Sequence, residues 1–207
     1  MYKLSITAIL LLTVLFPITT MAATVQLPAT GQTSCYNATG TCTDAAAKGQ
    51  DGVKQPGVAY PQPRFTDNNN GTITDNLTGL VWLKEADCYI SNDGTYYYPT
   101  NASYFDTTLS SAKRLKDGKC GLTDNSIEGQ WRVPNRIELA SLINYNNADN
   151  AAWLNLQGFS NIKDSYYFSS TTPYNYGGRS YQYMVNLGKG TIIKDYGLGN
   201  TLFLRNK

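Results

Sequence analysis

Short apolar runs separated by turn-forming residues dominate the sequence from residue 64 onward, a pattern typical of antiparallel strands. Two of these runs flank Asn70-Gly71, a dipeptide that favours a tight hairpin turn. A third run, centred on Trp82, is continuously apolar and therefore predicts a buried strand. The strands predicted in this part of the chain are 65–67, 72–75 and 80–83.

Two amphipathic segments predict helices. The first begins at a Thr107 or Thr108 cap and runs to about Asp117, after a long loop over 87–106. Its predicted apolar stripe consists of Leu109, Ala112 and Leu115. The second begins at Asn135, where Glu138 completes a capping-box pattern. Its predicted apolar stripe consists of Leu139, Leu142 and Ile143.

The C-terminal part returns to period-two alternation and predicts four more strands, at 167–171, 181–187, 191–196 and 202–205. In the second of these, Tyr181 and Tyr183 belong to the same alternating set as Val185 and Leu187. We therefore expect both tyrosines to face the core. Helices segregated from a run of antiparallel strands indicate an α+β domain rather than a doubly wound parallel sheet.

Residues 1–22 have the pattern of an export signal. Lys3 precedes an apolar stretch at 8–16, and small residues surround a predicted cleavage site after Ala22. Thr13 and Pro17 interrupt the apolar run, which disfavours a permanent membrane span. We therefore expect a secreted or periplasmic mature protein, without stable membrane insertion after cleavage.

Residues 23–63 are rich in Ala, Thr, Gly, Gln and Pro and predict an extended N-terminal arm ahead of a domain at 64–207. Four cysteines in an exported chain favour two disulfides, and three pairings are open. We favour Cys35 with Cys42 and Cys88 with Cys120. A metal site is the weaker alternative, because the cysteines lack metal-ligand spacing.

The composition excludes several function classes. The chain of 207 residues contains no histidine, which removes imidazole acid/base chemistry and His-containing zinc sites. The net charge is only +2, so nothing favours nucleic-acid binding. The segment 67–71 is similar to a calcium loop, but its glycine is one position early and Thr78 stands where such loops have Glu. We expect neither a cofactor nor a metal.

Four motifs resemble those of the Lcl C-terminal domain family, which takes its name from a collagen-like adhesin. They occur in the family's order at 64–67, 71–82, 131–139 and 168–172. The resemblance implies a C-type-lectin-like fold, with two helices flanking a twisted antiparallel sheet and loops forming a binding face. No collagen repeats precede the domain, and Val133-Pro134-Asn135 lacks the carboxylate that calcium-dependent lectins use.

Sixteen tyrosines, together with abundant Asn, Gly, Ser and Thr, are typical of polar contact surfaces. We expect two exposed loops to bind a ligand. The candidate ligand-binding residues are Tyr96, Tyr97, Tyr98, Tyr174, Tyr176 and Arg179. A basic helix face is the alternative site and consists of Lys113, Arg114, Lys116 and Lys119.

These observations predict a non-catalytic, adhesin-like module that recognises a glycan or a cell-surface protein without calcium. Two alternatives stay open at this point. One is a secreted enzyme, since formylglycine-generating enzymes share the C-type-lectin-like fold. The other is a purely structural component of the cell envelope.

Overall fold

The computed structural model describes residues 27–41, 49–91, 93–97, 104–174 and 181–207. Within these residues the chain forms four helices and eleven short strands, and every strand pairing is antiparallel. The predicted α+β class is therefore confirmed. The predicted export signal and the residues near its cleavage site lie outside the described residues.

Four strands form the larger sheet, in the order β11-β5-β4-β3. They are β3 (Phe65–Asp67), β4 (Thr72–Asp75), β5 (Val81–Leu83) and β11 (Leu204–Arg205). The predicted hairpin is confirmed, with Thr66 opposite Thr74. Gly71 closes its turn at φ +82°, where an added Cβ would lie 2.3 Å from the carbonyl oxygen of Gly121. Glycine is needed there for both conformation and space.

A three-stranded sheet follows in the order β10-β9-β8. Its strands are β8 (Tyr166–Phe168), β9 (Gln182–Asn186) and β10 (Ile192–Asp195). The expected orientation of β9 is wrong in part. Gln182 and Met184 are buried, whereas Tyr181 and Tyr183 are partly exposed. Both faces of this strand are covered by protein, so alternation in the sequence does not identify the inner face.

The helices are α1 (Asp51–Lys54), α2 (Phe105–Arg114), α3 (Arg136–Ala140) and α4 (Asn150–Leu156). The α3 capping box is confirmed. The Asn135 side chain accepts hydrogen bonds from the N–H groups of Ile137 and Glu138, at 2.8 and 2.9 Å, and Glu138 accepts one from Asn135 N–H at 2.7 Å. The predicted apolar stripe continues beyond the helix end, because Leu142 and Ile143 are buried in the following turn.

Helix α2 begins earlier than predicted, at Phe105, and Thr108 is buried inside it rather than capping it. Leu109, expected on the apolar face, is 42% exposed. The buried face instead contains Thr108, Ser111 and Ala112, since small side chains pack there against the neighbouring strand β6 (Tyr89–Ile90). A pattern of apolar residues alone cannot reveal such a face.

The central sheet separates two cores. Trp82 and Leu83 are adjacent in β5 and point to opposite sides. Trp82 packs with Leu139 of α3 and Leu154 of α4, whereas Leu83 packs in the second core with Ala112 of α2. Helices therefore cover both faces of the sheet. The predicted burial of Trp82, and of Trp131 in the second core, is confirmed, with exposures of 0% and 2%.

A small hairpin lies inside the segment predicted as one long loop. Its strands are β6 (Tyr89–Ile90) and β7 (Tyr96–Tyr97). A further hairpin in the N-terminal arm consists of β1 (Tyr36–Asn37) and β2 (Gly40–Thr41). The predicted Cys88–Cys120 disulfide is present. Cys35 is also disulfide-bonded, and its predicted partner Cys42 lies outside the described residues.

Candidate functional site

The predicted Tyr-rich loops are described only in part. Tyr96 and Tyr97 form strand β7, with Tyr97 opposite Tyr89 and Tyr96 opposite Ile90 of β6. Tyr174, which follows β8, is 96% exposed. Three of the candidate ligand-binding residues, Tyr98, Tyr176 and Arg179, lie outside the described residues.

The basic residues line a groove of about 370 Å³ between the β6–β7 hairpin and the end of α2. We call this the charged groove. Its principal lining residues are Ile90, Asp93, Arg114, Lys116, Lys119 and Glu128. The fold therefore brings three of the four predicted basic residues together, whereas Lys113 is exposed on the same helix outside the groove.

The basic residues of the charged groove are accompanied by carboxylates. Lys116 Nζ lies 2.7 Å from Glu128 Oε1, and this hydrogen bond lowers the pKa of Glu128. Hydrogen bonds from the Ser91 hydroxyl and the Thr95 N–H lower the pKa of Asp93. Both carboxylates are ionised at neutral pH, so three cations face two anions. The groove is strongly polar but only weakly cationic.

Two links hold the walls of the charged groove together. The Ser111 hydroxyl accepts a hydrogen bond from Ile90 N–H at 3.0 Å and lies 3.2 Å from the Ile90 carbonyl oxygen, to which it donates. The Cys88–Cys120 disulfide joins the start of β6 to the segment after α2. The hairpin that carries Tyr96 and Tyr97 is thereby fixed beside the basic residues.

A second cleft, of about 330 Å³, lies between the N-terminal arm and the turns after α3. Among the described residues, no charged residue lines it, and Tyr60 lies in its wall. We call it the amide cleft, because five residues with carboxamide side chains line it: Gln32, Gln55, Gln62, Asn144 and Asn146. None of these five residues is among the site residues predicted above. For Gln32, Gln55 and Gln62 the only signal was the Gln content of the arm, and Asn144 and Asn146 gave none.

The arm is bound to the domain at the amide cleft by specific hydrogen bonds. Tyr145 N–H donates to the Thr30 carbonyl at 3.0 Å. The N–H and hydroxyl of Thr33 both donate to Asn146 Oδ1, at 3.1 and 2.8 Å. Gly31, at φ +80°, passes so close that an added Cβ would lie 2.4 Å from Asn144 Oδ1. Arm and domain together therefore build this cleft.

A buried ion pair lies behind Tyr60. Arg64 donates to both carboxylate oxygens of Asp75, at 3.0 and 2.8 Å, and the two side chains are 3% and 0% exposed. The guanidinium carbon lies 4.5 Å from the centre of the Tyr60 ring. Tyr60 donates to the Ile143 carbonyl at 3.0 Å, and burial raises its pKa. The hairpin register, which places Asp75 opposite Phe65, could have indicated this pair.

A third cleft, of about 350 Å³, surrounds the segment that is similar to a calcium loop. Lys84 Nζ lies 2.6 Å from Asp67 Oδ2, and this hydrogen bond is the main reason that the pKa of Asp67 is lowered. Asp67 also accepts from Asn69 N–H at 2.9 Å, as in an ordinary turn. Among the described residues, no three His, Cys, Asp or Glu side chains form a group that could hold a metal ion.

Residues 71–205 match the family model of the Lcl C-terminal domain, and this match spans more than half of the chain. The protein therefore belongs to the Lcl C-terminal domain family. No curated protein and no solved structure matches the chain. Within the described residues, the structure contains no helix that is long and apolar enough to cross a membrane.

Proposed function

We propose that this protein is an exported, non-enzymatic binding domain that recognises a glycan or a cell-surface protein through its Tyr-rich loops. Membership of the Lcl C-terminal domain family supports a surface-associated role. The observation that carries the proposal is the exposure of Tyr174, whose side chain is 96% accessible to solvent. An aromatic ring with a polar hydroxyl, held outside the core, is suited to contact with sugars and with protein surfaces.

The β6–β7 hairpin supports a binding face on the same domain. Its strand β7 carries Tyr96 and Tyr97, and its loop forms one wall of the charged groove. The hairpin that includes strand β7 and the basic residues therefore border the same groove. Salt dependence distinguishes their contributions, because contacts made by exposed charges weaken as ionic strength rises.

Recognition is proposed to be independent of calcium and of catalysis. Asp67, the first residue of the calcium-like segment, is bound to Lys84 and to the turn backbone. Asp75 is bound to Arg64. Both carboxylates therefore have structural partners within the protein. This supports ligand recognition by the loops rather than by calcium or by catalytic carboxylates.

Screening the mature protein on glycan and cell-surface protein arrays tests the proposal. For a ligand found there, we expect the triple variant Tyr174→Ala, Tyr176→Ala and Arg179→Ala to lose about 2 kcal/mol of binding free energy, the scale of interface hot spots. Tyr36→Ala, which removes a half-exposed ring from the N-terminal hairpin, is the matched control and should bind normally. A chelator should have no effect.

Two outcomes would contradict the proposal. Loss of binding with chelator and recovery with calcium would overturn calcium independence. Full affinity of the triple variant, with salt sensitivity and loss of binding after Arg114→Ala and Lys116→Ala, would place recognition in the charged groove.

A further inference from the structure

The amide cleft has a chemistry that the proposed Tyr-rich loops do not explain. We infer that it is a second binding site, specific for a neutral oligosaccharide and separate from the Tyr-rich loops. The inference goes beyond the proposed function, since it involves different residues and a different selectivity.

The first argument is the number of carboxamides that the protein itself does not use. Within the described part of the chain, the side-chain amides of Gln32 and Gln62 have no hydrogen-bond partner. The same is true of the Nδ2 groups of Asn144 and Asn146. Gln55 donates to the Gly52 carbonyl at 3.3 Å, which leaves its side-chain oxygen available. Donors and acceptors therefore converge on one cavity.

The second argument is the absence of charge in the lining. Each carboxamide offers a carbonyl acceptor and an NH₂ donor, which matches the hydroxyl groups of a sugar, themselves both donors and acceptors. A sulfate or carboxylate would lose hydration in this cleft without meeting a cation. The charged groove and the third cleft, around the segment that is similar to a calcium loop, both contain ionised side chains. Among these three clefts, the amide cleft is the one suited to an uncharged ligand.

The third argument is rigidity. Asn146 is held by Thr33, and Asn144 Oδ1 accepts from Asn146 N–H at 3.1 Å, so both amides are oriented before a ligand arrives. Tyr60 is fixed by its hydrogen bond to Ile143 and by the guanidinium of Arg64. Oriented polar groups lower the cost of ordering on binding. The volume of about 330 Å³ is at the lower end of ligand pockets, as expected for a short sugar segment.

Saturation-transfer NMR and calorimetry with three neutral hexasaccharides, maltohexaose, cellohexaose and chitohexaose, test the inference. We expect at least one to bind with an affinity that is unchanged between low salt and about 0.5 M salt. Gln32→Ala and Gln62→Ala should each weaken that binding about three- to tenfold, the effect of one lost hydrogen bond. Gln157→Ala, which removes an amide outside the cleft, is the matched control and should bind within twofold of wild type.

The same titrations separate this site from the proposed loop site. Tyr174→Ala should leave hexasaccharide binding unchanged, even if it abolishes binding to an array ligand. Absence of binding by all three hexasaccharides at about 10 mM would overturn the inference. Binding that disappears with salt, or that is equal in wild type, Gln32→Ala and Gln62→Ala, would also overturn it.

Discussion

The amide cleft and the charged groove are similar in volume but place their charges differently. In the charged groove, ionised side chains line the surface, and the Lys116–Glu128 pair is about half exposed. In the amide cleft the surface is neutral, and the nearest ion pair, Arg64–Asp75, is almost completely buried behind Tyr60. The charged groove therefore has ionised side chains on its surface, whereas at the amide cleft the ion pair is buried and stabilises the position of Tyr60 in the wall.

The difference predicts separate ligand preferences for the two polar clefts and separate roles for the two ion pairs. Water and salt screen the exposed pair, so it contributes little to stability and can exchange its partner for a ligand. The buried pair is not screened, and removal of one member leaves the other charge buried without its counter-ion. Substitutions at the two pairs should therefore have very different consequences.

The largest expected effect follows from Arg64→Met, which leaves the Asp75 carboxylate buried without its partner. We expect a loss of about 3–5 kcal/mol in the free energy of unfolding, measured by urea denaturation. Lys116→Met is the matched control, because it also replaces the cation of an ion pair with Met but at an exposed pair, and it should leave the urea midpoint nearly unchanged. Equal midpoints for the two variants would contradict the distinction between the regions.

The second effect concerns the covalent link between the walls of the charged groove. The disulfide spans 32 residues, so the double variant Cys88→Ala and Cys120→Ala should lose about 3–4 kcal/mol of stability by loop entropy. Hydrogen exchange should increase at Ile90, in the groove wall. The backbone N–H of Tyr145 donates to the Thr30 carbonyl at the amide cleft. It should keep more of its protection from exchange than the N–H of Ile90 does. A uniform increase at both sites would show that the two regions unfold together.

The smallest effect is at Tyr60. Tyr60→Phe removes the hydrogen bond to the Ile143 carbonyl and should cost about 1 kcal/mol near neutral pH. Burial raises the pKa of Tyr60, so its contribution is complete below the ordinary value of 10.0 and is lost as the pH rises through the folded-state value. Urea midpoints of wild type and Tyr60→Phe should therefore differ at about pH 8 and converge as the pH rises above about 10. A constant difference would show that Tyr60 does not titrate with folding.

Local sequence signals predicted the elements that local chemistry determines. The hairpin 65–75 was predicted from its turn and alternation, and α3 from its capping box, and both are confirmed. Helix α4 was missed, although Asp149 caps it by accepting from Ala152 N–H at 3.0 Å. The helix is only seven residues long, about two turns, so periodicity gave little indication.

The candidate site was predicted less accurately than these elements. The exposure of a side chain and its neighbours in space depend on distant parts of the chain. Tyr174 was expected to be exposed and is, whereas the exposed Leu109 was expected to pack. The basic residues 113–119 were recognised from their spacing, but their partner Glu128 comes from a later loop. The sequence-based domain boundary at residue 64 also gave no reason to consider a cleft that spans it.

The sequence by itself determined the family, the α+β class and the cysteines available for disulfides, because each depends on residue type and short-range order. Tertiary structure alone decided which polar residues share a cavity. Gln32 and Asn146 are 114 positions apart, and only the docking of the arm, through Thr33 and Gly31, brings their amides to one cleft. Hydrogen-bond geometry acts over a few ångströms, and the sequence specifies such distances only through the folded chain.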